Sequence, residues 1–122
     1  MGFFTLFNFN INYMDIEKLH NKKIDIFGTK YTIKIVDRTE NDDTSYYGCT
    51  YHDSRIIKIA KYVNEAKMSN EEMTRTLLHE INHAILASGQ YLDSNNDEPL
   101  VEWIAKCYYS ILFKQKTFKD YD

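Results

Sequence analysis

The segment His79–His83 reads HEINH, which puts two histidines four residues apart with a glutamate directly after the first. If the segment is helical, one turn separates the imidazoles, so both can face the same metal ion. Glu80 then projects about 100° around the helix from His79, within reach of a water molecule at that ion. Metal-assisted hydrolysis needs neutral nitrogens that hold zinc and a carboxylate that accepts a proton from water. The spacing therefore predicts a zinc site at His79 and His83, with Glu80 as catalytic base.

The alternative is that His79 and His83 are ordinary histidines of a helix. A helical wheel argues against it, because the apolar side chains gather on one side and both histidines lie nearly opposite. These apolar residues are Leu77, Leu78, Ile81, Ala84 and Ile85. The small neighbours Thr76 and Ala87 would let a second helix approach the histidines closely. We therefore favour the metal site.

A catalytic zinc ion usually has three protein ligands and one open position, and no histidine follows His83. The candidates for the third ligand are therefore the carboxylates Asp93, Asp97, Glu98 and Glu102. Glu98 is favoured because it borders the apolar stripe of the next predicted helix, whereas Glu102 lies further around. Glu102 remains the alternative, since a helix start is predicted only to within a few residues. The carboxylate that does not bind could orient a histidine N–H, and Glu98 could merely be a favourable charge near a helix N-terminus.

The elements that position these residues begin with strands. Apolar residues alternate with polar ones at Ile24, Ile26, Tyr31, Ile33 and Ile35, and Gly28 is placed for a turn, which predicts a β-hairpin. A polar, acidic loop follows over residues 38–45. Two further strands are expected at about 46–51 and 55–60, and His52 in the turn between them is interpreted as a solvated residue.

Two helices should follow the sheet. Ser69 and Glu72 have the spacing of a capping box, and the apolar period after them predicts a helix up to about Gly89. After a polar connection, Pro99 fits the first turn of a second helix. We expect its apolar stripe to consist of Leu100, Val101, Ile104, Tyr108, Ile111 and Leu112. The predicted fold class is α+β: a small, mostly antiparallel sheet of about four strands followed by two packed helices.

Composition narrows the class of protein. The chain has 122 residues, 43% of them hydrophobic, so we expect one domain over residues 15–122. We expect residues 1–14 to be a flexible N-terminal extension, and the start of the protein to be either Met1 or Met14. A formal net charge of -3 argues against nucleic acid as a partner. We expect no membrane segment, and two cysteines without a CxxC pair favour the cytoplasm. No feature of the sequence indicates an oligomeric state.

The stretches TLLHEINHAIL and NDEPLVEWIAKCYYSIL resemble the small phage and prophage metallopeptidases of the gluzincin type, compact relatives of the ImmA/IrrE-like group. The resemblance implies a minimal zincin fold in which His79, His83 and Glu98 hold the zinc ion and Glu80 is the catalytic base. YGCTYHDSRIIKIA resembles the family's paired strands. It implies that the second strand is an edge strand beside the cleft, where an extended peptide binds by strand addition. Asn82 departs from the residue often found at its position.

Together these observations predict a zinc-dependent endopeptidase that acts on a peptide or protein substrate in the cytoplasm of a bacterial or phage-infected cell. The alternative is a non-catalytic, zinc-stabilised interaction or inhibitor protein of phage type on a zincin scaffold. The short chain leaves little material for substrate pockets, which favours the alternative. Glu80 favours the enzyme, because a purely structural metal site needs no general base.

Overall fold

A computed structural model describes residues 15–39 and 46–111. A short 3-10 helix, Ile16–Leu19, precedes the sheet. The strands are β1 (Lys23–Ile26), β2 (Thr29–Val36), β3 (Gly48–Tyr51), β4 (Ile56–Ala60), β5 (Tyr62–Val63) and β6 (Ala66–Lys67). The helices are α1 (Asn70–Ser88), α2 (Leu92–Asn95) and α3 (Glu98–Tyr109). The predicted extension 1–14 and most of the predicted acidic loop lie outside the described residues.

The predicted α+β class and four-stranded, mostly antiparallel sheet are confirmed. The strand order is β1-β2-β4-β3, with antiparallel pairs at both ends and a parallel pair between β2 and β4. Phe27 and Gly28 form the β1–β2 turn with positive φ angles of 50° and 88°, as a tight hairpin turn requires. Strands β5 and β6 form a separate small sheet that the sequence did not predict.

The order of the strands corrects one expectation. We expected the second of the paired strands, β4, to form the edge beside the cleft. It instead lies between β2 and β3, so that within the described sheet β3 is an edge strand. The reason is that β4 pairs with β2 along five residues, which places it inside the sheet. Its apolar residues Ile57 and Ile59 are fully buried accordingly.

Helix α1 crosses the sheet with one face in the main core. The predicted capping box is present, because the Ser69 hydroxyl accepts from the Glu72 backbone N–H and the Glu72 carboxylate accepts from the Ser69 N–H. Leu77 and Ala84 pack on the sheet side. Leu78, which we placed on the same face, packs instead against Ala105 of α3 in a second small cluster. The helix thus separates two cores, and the histidines lie beside the second.

Helix α3 begins at Glu98 with Pro99 in its first turn, as expected. The Asp97 side chain caps the helix by accepting from the Leu100 N–H, a role that the sequence did not predict. Its apolar stripe was predicted wrongly. Val101 and Ala105 are the buried residues, whereas most of the stripe faces outward. The exposed members are Leu100, Tyr108 and Ile111, joined by Trp103. The buried face of α3 is narrow, because Val101 and Ala105 are the buried residues along it. Leu112 lies outside the described residues.

The connection between the two long helices also contains structure that the sequence did not predict. Helix α2 forms a single turn within what we expected to be an irregular polar segment. Within residues 15–39 and 46–111, no helix is both long and apolar enough to cross a lipid bilayer.

Candidate metal centre

His79 and His83 lie one turn apart on α1 and direct their Nε2 atoms towards the same point. The two Nε2 atoms are 3.2 Å apart. Both side chains are largely buried, with exposed fractions of 16% and 14%, so they are not solvated surface histidines. The one-turn spacing predicted from the sequence therefore places two ring nitrogens side by side.

Glu98, at the start of α3, completes the group. Its Oε2 atom lies 3.0 Å from Nε2 of His79, and its Oε1 atom lies 3.0 Å from Nε2 of His83. The ligand atoms of the three residues all lie within 4.8 Å of one another. The structure thus brings together the three residues that we favoured as metal ligands.

Glu102 occupies a different position around His79. Its Oε1 atom lies 3.8 Å from Nδ1, on the opposite side of the ring from the Nε2 atom that faces Glu98. A carboxylate on the Nδ1 side can orient the imidazole but cannot share an ion with Nε2. The geometry therefore separates the two candidates that the sequence left open. Asp93 and Asp97, the other candidates, do not belong to the group.

The Nδ1 atom of His83 also has a partner, Asn95 of α2, whose Oδ1 lies 2.7 Å away. An amide oxygen only accepts, so Nδ1 carries the proton and donates it. The Nε2 atom of a neutral ring then presents its lone pair towards Glu98 and His79. Sequence reasoning missed Asn95, because a residue in a polar connection shows no spacing that links it to a histidine twelve positions earlier.

The group suits a divalent cation. Ligand atoms placed 2.0–2.1 Å from a tetrahedral zinc ion lie about 3.3 Å from one another. Each Glu98 oxygen lies 3.0 Å from one of the two Nε2 atoms, and the Nε2 atoms are 3.2 Å apart, so neighbouring donor atoms have a spacing close to that value. Two imidazole lone pairs and a carboxylate that converge need positive charge between them, which either bound protons or a metal ion supplies. Two nitrogens and one carboxylate oxygen are a donor set that zinc accepts.

Glu80 is on α1 next to the group but is not one of the ligands. Only 6% of the residue is exposed, and its Oε1 atom accepts a 2.6 Å hydrogen bond from the Thr50 hydroxyl of β3. Burial raises the pKa of the Glu80 carboxyl above its ordinary 4.5, although the Thr50 bond and the two imidazoles act in the opposite direction. A cation among the neighbouring ligands would lower that pKa again.

These residues line one open cleft of about 860 Å³, a volume typical of ligand-binding sites. One wall is α1 with its two histidines and Glu80, and another is the start of α3. The residues that precede and form β3 supply the third, where Tyr46 and Tyr47 are half exposed. His52 also borders the cleft, exposed as predicted, with Nδ1 3.3 Å from the Tyr31 hydroxyl.

Comparison with known proteins adds no assignment. No family model matches the chain, and neither a curated protein nor a solved structure is significantly similar to it.

Proposed function

We propose that this protein is a zinc-dependent metallopeptidase that cleaves internal peptide bonds. The observation that carries the proposal is the convergence of His79, His83 and Glu98, in which each Glu98 oxygen lies 3.0 Å from one Nε2 atom and the two Nε2 atoms are 3.2 Å apart. Glu80 lines the same cleft. A structural metal site would need the ligands alone. The carboxylate of Glu80 beside them, which ligates nothing, supports a hydrolytic role.

The zinc ligands and Glu80 would have different roles in the reaction. Zinc held by His79, His83 and Glu98 would supply a Lewis acid that polarises the substrate carbonyl and lowers the pKa of water. Glu80 accepts the proton that the attacking water loses as its oxygen bonds to the carbonyl carbon. When the C–N bond breaks, Glu80 returns that proton to the departing amine. Burial raises the pKa of the Glu80 carboxyl and makes the carboxylate a stronger base, which favours the first transfer. A cation at the neighbouring ligands would lower that pKa and favour the return of the proton.

Strand β3 would bind the substrate. Gly48, Cys49 and Thr50 of this strand line the cleft, and β3 is an edge strand of the described sheet. An extended peptide could therefore add to it as a further strand through main-chain hydrogen bonds. Main-chain recognition of this kind suits an enzyme that cuts within a chain. Tyr46 and Tyr47 lie at the entrance to this strand and are the tyrosines available to stabilise an oxyanion. We further propose a cytoplasmic location, which is supported by two cysteines, Cys49 and Cys107, that form no disulfide.

Metal analysis and digestion of a peptide library test the proposal together. We expect about one zinc ion per wild-type chain and cleavage within peptides. Glu80→Gln should keep the metal and lose cleavage, whereas His79→Ala should lose both. A Glu80→Gln protein with wild-type activity, or a wild type without zinc, would exclude the mechanism.

One observation favours a second function, that of a non-catalytic, zinc-stabilised interaction or inhibitor protein. The outward face of α3 is apolar and exposed, with Trp103 65% and Tyr108 45% accessible. Such a face is typical of a surface that binds another protein. Stoichiometric zinc, no cleavage of any peptide, and loss of a tight partner on Trp103→Ala would support this function over the peptidase.

A further inference from the structure

The catalytic glutamate of the proposed site is held by a strand as well as by its own helix. The Thr50 hydroxyl lies 2.6 Å from Glu80 Oε1 and 3.2 Å from the Glu80 backbone oxygen. A separation of 2.6 Å is typical of a hydroxyl that donates to an ionised carboxylate. Thirty positions separate the two residues, so the bond exists only because β3 packs against α1.

Gly48 makes this packing possible. A Cβ atom at Gly48 would lie 2.7 Å from the Thr76 Cγ2 atom and 3.2 Å from the Glu80 Cγ atom, and the first separation is too short for any real side chain. Side chains two residues apart on a strand point to the same face, so Gly48 and Thr50 both face α1. The absence of a side chain at one position lets the hydroxyl at the other reach the carboxylate.

We propose that Thr50 is the positioning residue for Glu80 in the peptidase reaction, with Gly48 providing the close approach that this role needs. The inference rests on the proposed function. The Thr50 hydroxyl engages Oε1 and restricts rotation of the carboxylate, which leaves Oε2 to exchange a proton with the attacking water. Thr50 keeps its own proton throughout, so the only proton that moves is the one that passes from water through Glu80 to the amine.

This arrangement links substrate and base through one strand. Thr50 lies in the middle of β3, the edge strand along which the peptide would bind. A rigid hydrogen bond from that strand to Glu80 fixes the base relative to the scissile bond. Misplacement of a reacting group by about 1 Å can lower a rate on the order of 10²-fold, so the positioning has a measurable effect.

Thr50→Val and Thr50→Ser are a matched pair for the test, since Val keeps the shape of Thr without the hydroxyl and Ser keeps the hydroxyl. With zinc-loaded protein and a cleaved library peptide, we expect Thr50→Val to lower kcat on the order of 10²-fold with little change in KM. Thr50→Ser should stay near wild type, and zinc stoichiometry should be the same in all three proteins. Wild-type kcat in Thr50→Val, or equal losses in Thr50→Val and Thr50→Ser, would overturn the positioning role.

A second measurement does not depend on activity. In urea unfolding, Thr50→Val should lower the midpoint of the wild type, because a buried carboxylate loses its donor. In a Glu80→Met background, where no carboxylate remains, the same substitution should lower the midpoint less. Equal shifts in both backgrounds would overturn the coupling. An active wild type with an unaffected Thr50→Val overturns the positioning role alone, whereas a zinc-loaded wild type that cleaves nothing overturns the proposed function and this role together.

Discussion

The Nδ1 atom of His83 lies 2.7 Å from the Oδ1 atom of Asn95, although the two residues belong to different helices. This contact fixes which ring nitrogen carries the proton and so directs the other towards Glu98. Partners of this kind maintain the orientation of metal-ligating histidines and raise their affinity for the ion. The short helix α2 thus contributes to the proposed zinc site without supplying a ligand.

Asn95→Ala should therefore weaken zinc binding by about 10–100-fold, because the His83 ring loses its acceptor and can rotate. Asn95→Asp keeps an oxygen at the same place and is the matched control, with affinity near that of the wild type. Competition titration against a chelator measures both. Unchanged affinity in Asn95→Ala would contradict the orienting role.

Glu98→Ala and Glu102→Ala distinguish the third ligand from its neighbour. Glu98 contacts both Nε2 atoms at 3.0 Å, so its loss should abolish stoichiometric zinc binding. Glu102 lies 3.8 Å from Nδ1 of His79 and is half exposed, so its removal should leave the stoichiometry intact. The measurement is the zinc content of each variant after dialysis. If Glu98→Ala kept its zinc and Glu102→Ala lost it, Glu102 and not Glu98 would be the third ligand.

Asn82 ties α1 to α3, since its Nδ2 atom donates to the Val101 backbone oxygen over 3.1 Å and both residues are buried. Asn82→Leu should destabilise the protein by about 1–3 kcal/mol and also weaken zinc binding, because the start of α3 carries Glu98. Ser69→Ala, at the far end of α1, is the control. Loss of the helix cap should lower the free energy of unfolding by a similar amount, about 1 kcal/mol. Equal zinc affinity in the two variants would show that the Asn82 bond does not align the ligand.

Tyr109 provides a pH-dependent attachment of α3 to the first turn of α1. Burial, followed by the hydrogen bond and charge of Glu71, raises the pKa of Tyr109 from 10.0 to about 12. Below pH 10 the phenol is protonated in the folded and unfolded states, so it gives no pH dependence. Between pH 10 and 12 the unfolded chain releases the proton that the folded chain retains, so the free energy of unfolding falls as pH rises.

Urea unfolding at stepped alkaline pH should accordingly show a steeper loss of stability in the wild type than in Tyr109→Phe. An ultraviolet difference titration of the same two proteins should give the Tyr109 pKa near 12, and Glu71→Gln should move it back towards 10.0. A wild-type value close to 10.0 would show that α3 is not attached to α1 in this way.

The local sequence pattern was enough to predict those features of the fold that depend on residues close together in the chain. The alternation of Ile24 and Ile26, the Ser69–Glu72 capping box and the HEINH spacing each depend on neighbours within one turn or strand, and the structure has them where they were expected. The order of the strands was not predictable in this way. An edge strand and a central strand can have the same run of apolar residues. We therefore expected β4 at the edge beside the cleft, a position that β3 occupies.

The amino-acid sequence by itself determined the pairing of His79 with His83 and the position of Glu80, because 3.6 residues per turn fix those directions on any helix. It also determined the start of both long helices, through the Ser69–Glu72 capping box of α1 and through Pro99 in the first turn of α3. Only the tertiary structure decided that Glu98 faces the Nε2 atoms while Glu102 faces Nδ1, since the rotation of α3 depends on small contacts such as Asn82 with Val101. The partners Asn95 and Thr50 likewise arise from packing between elements distant in the chain, which no local spacing encodes.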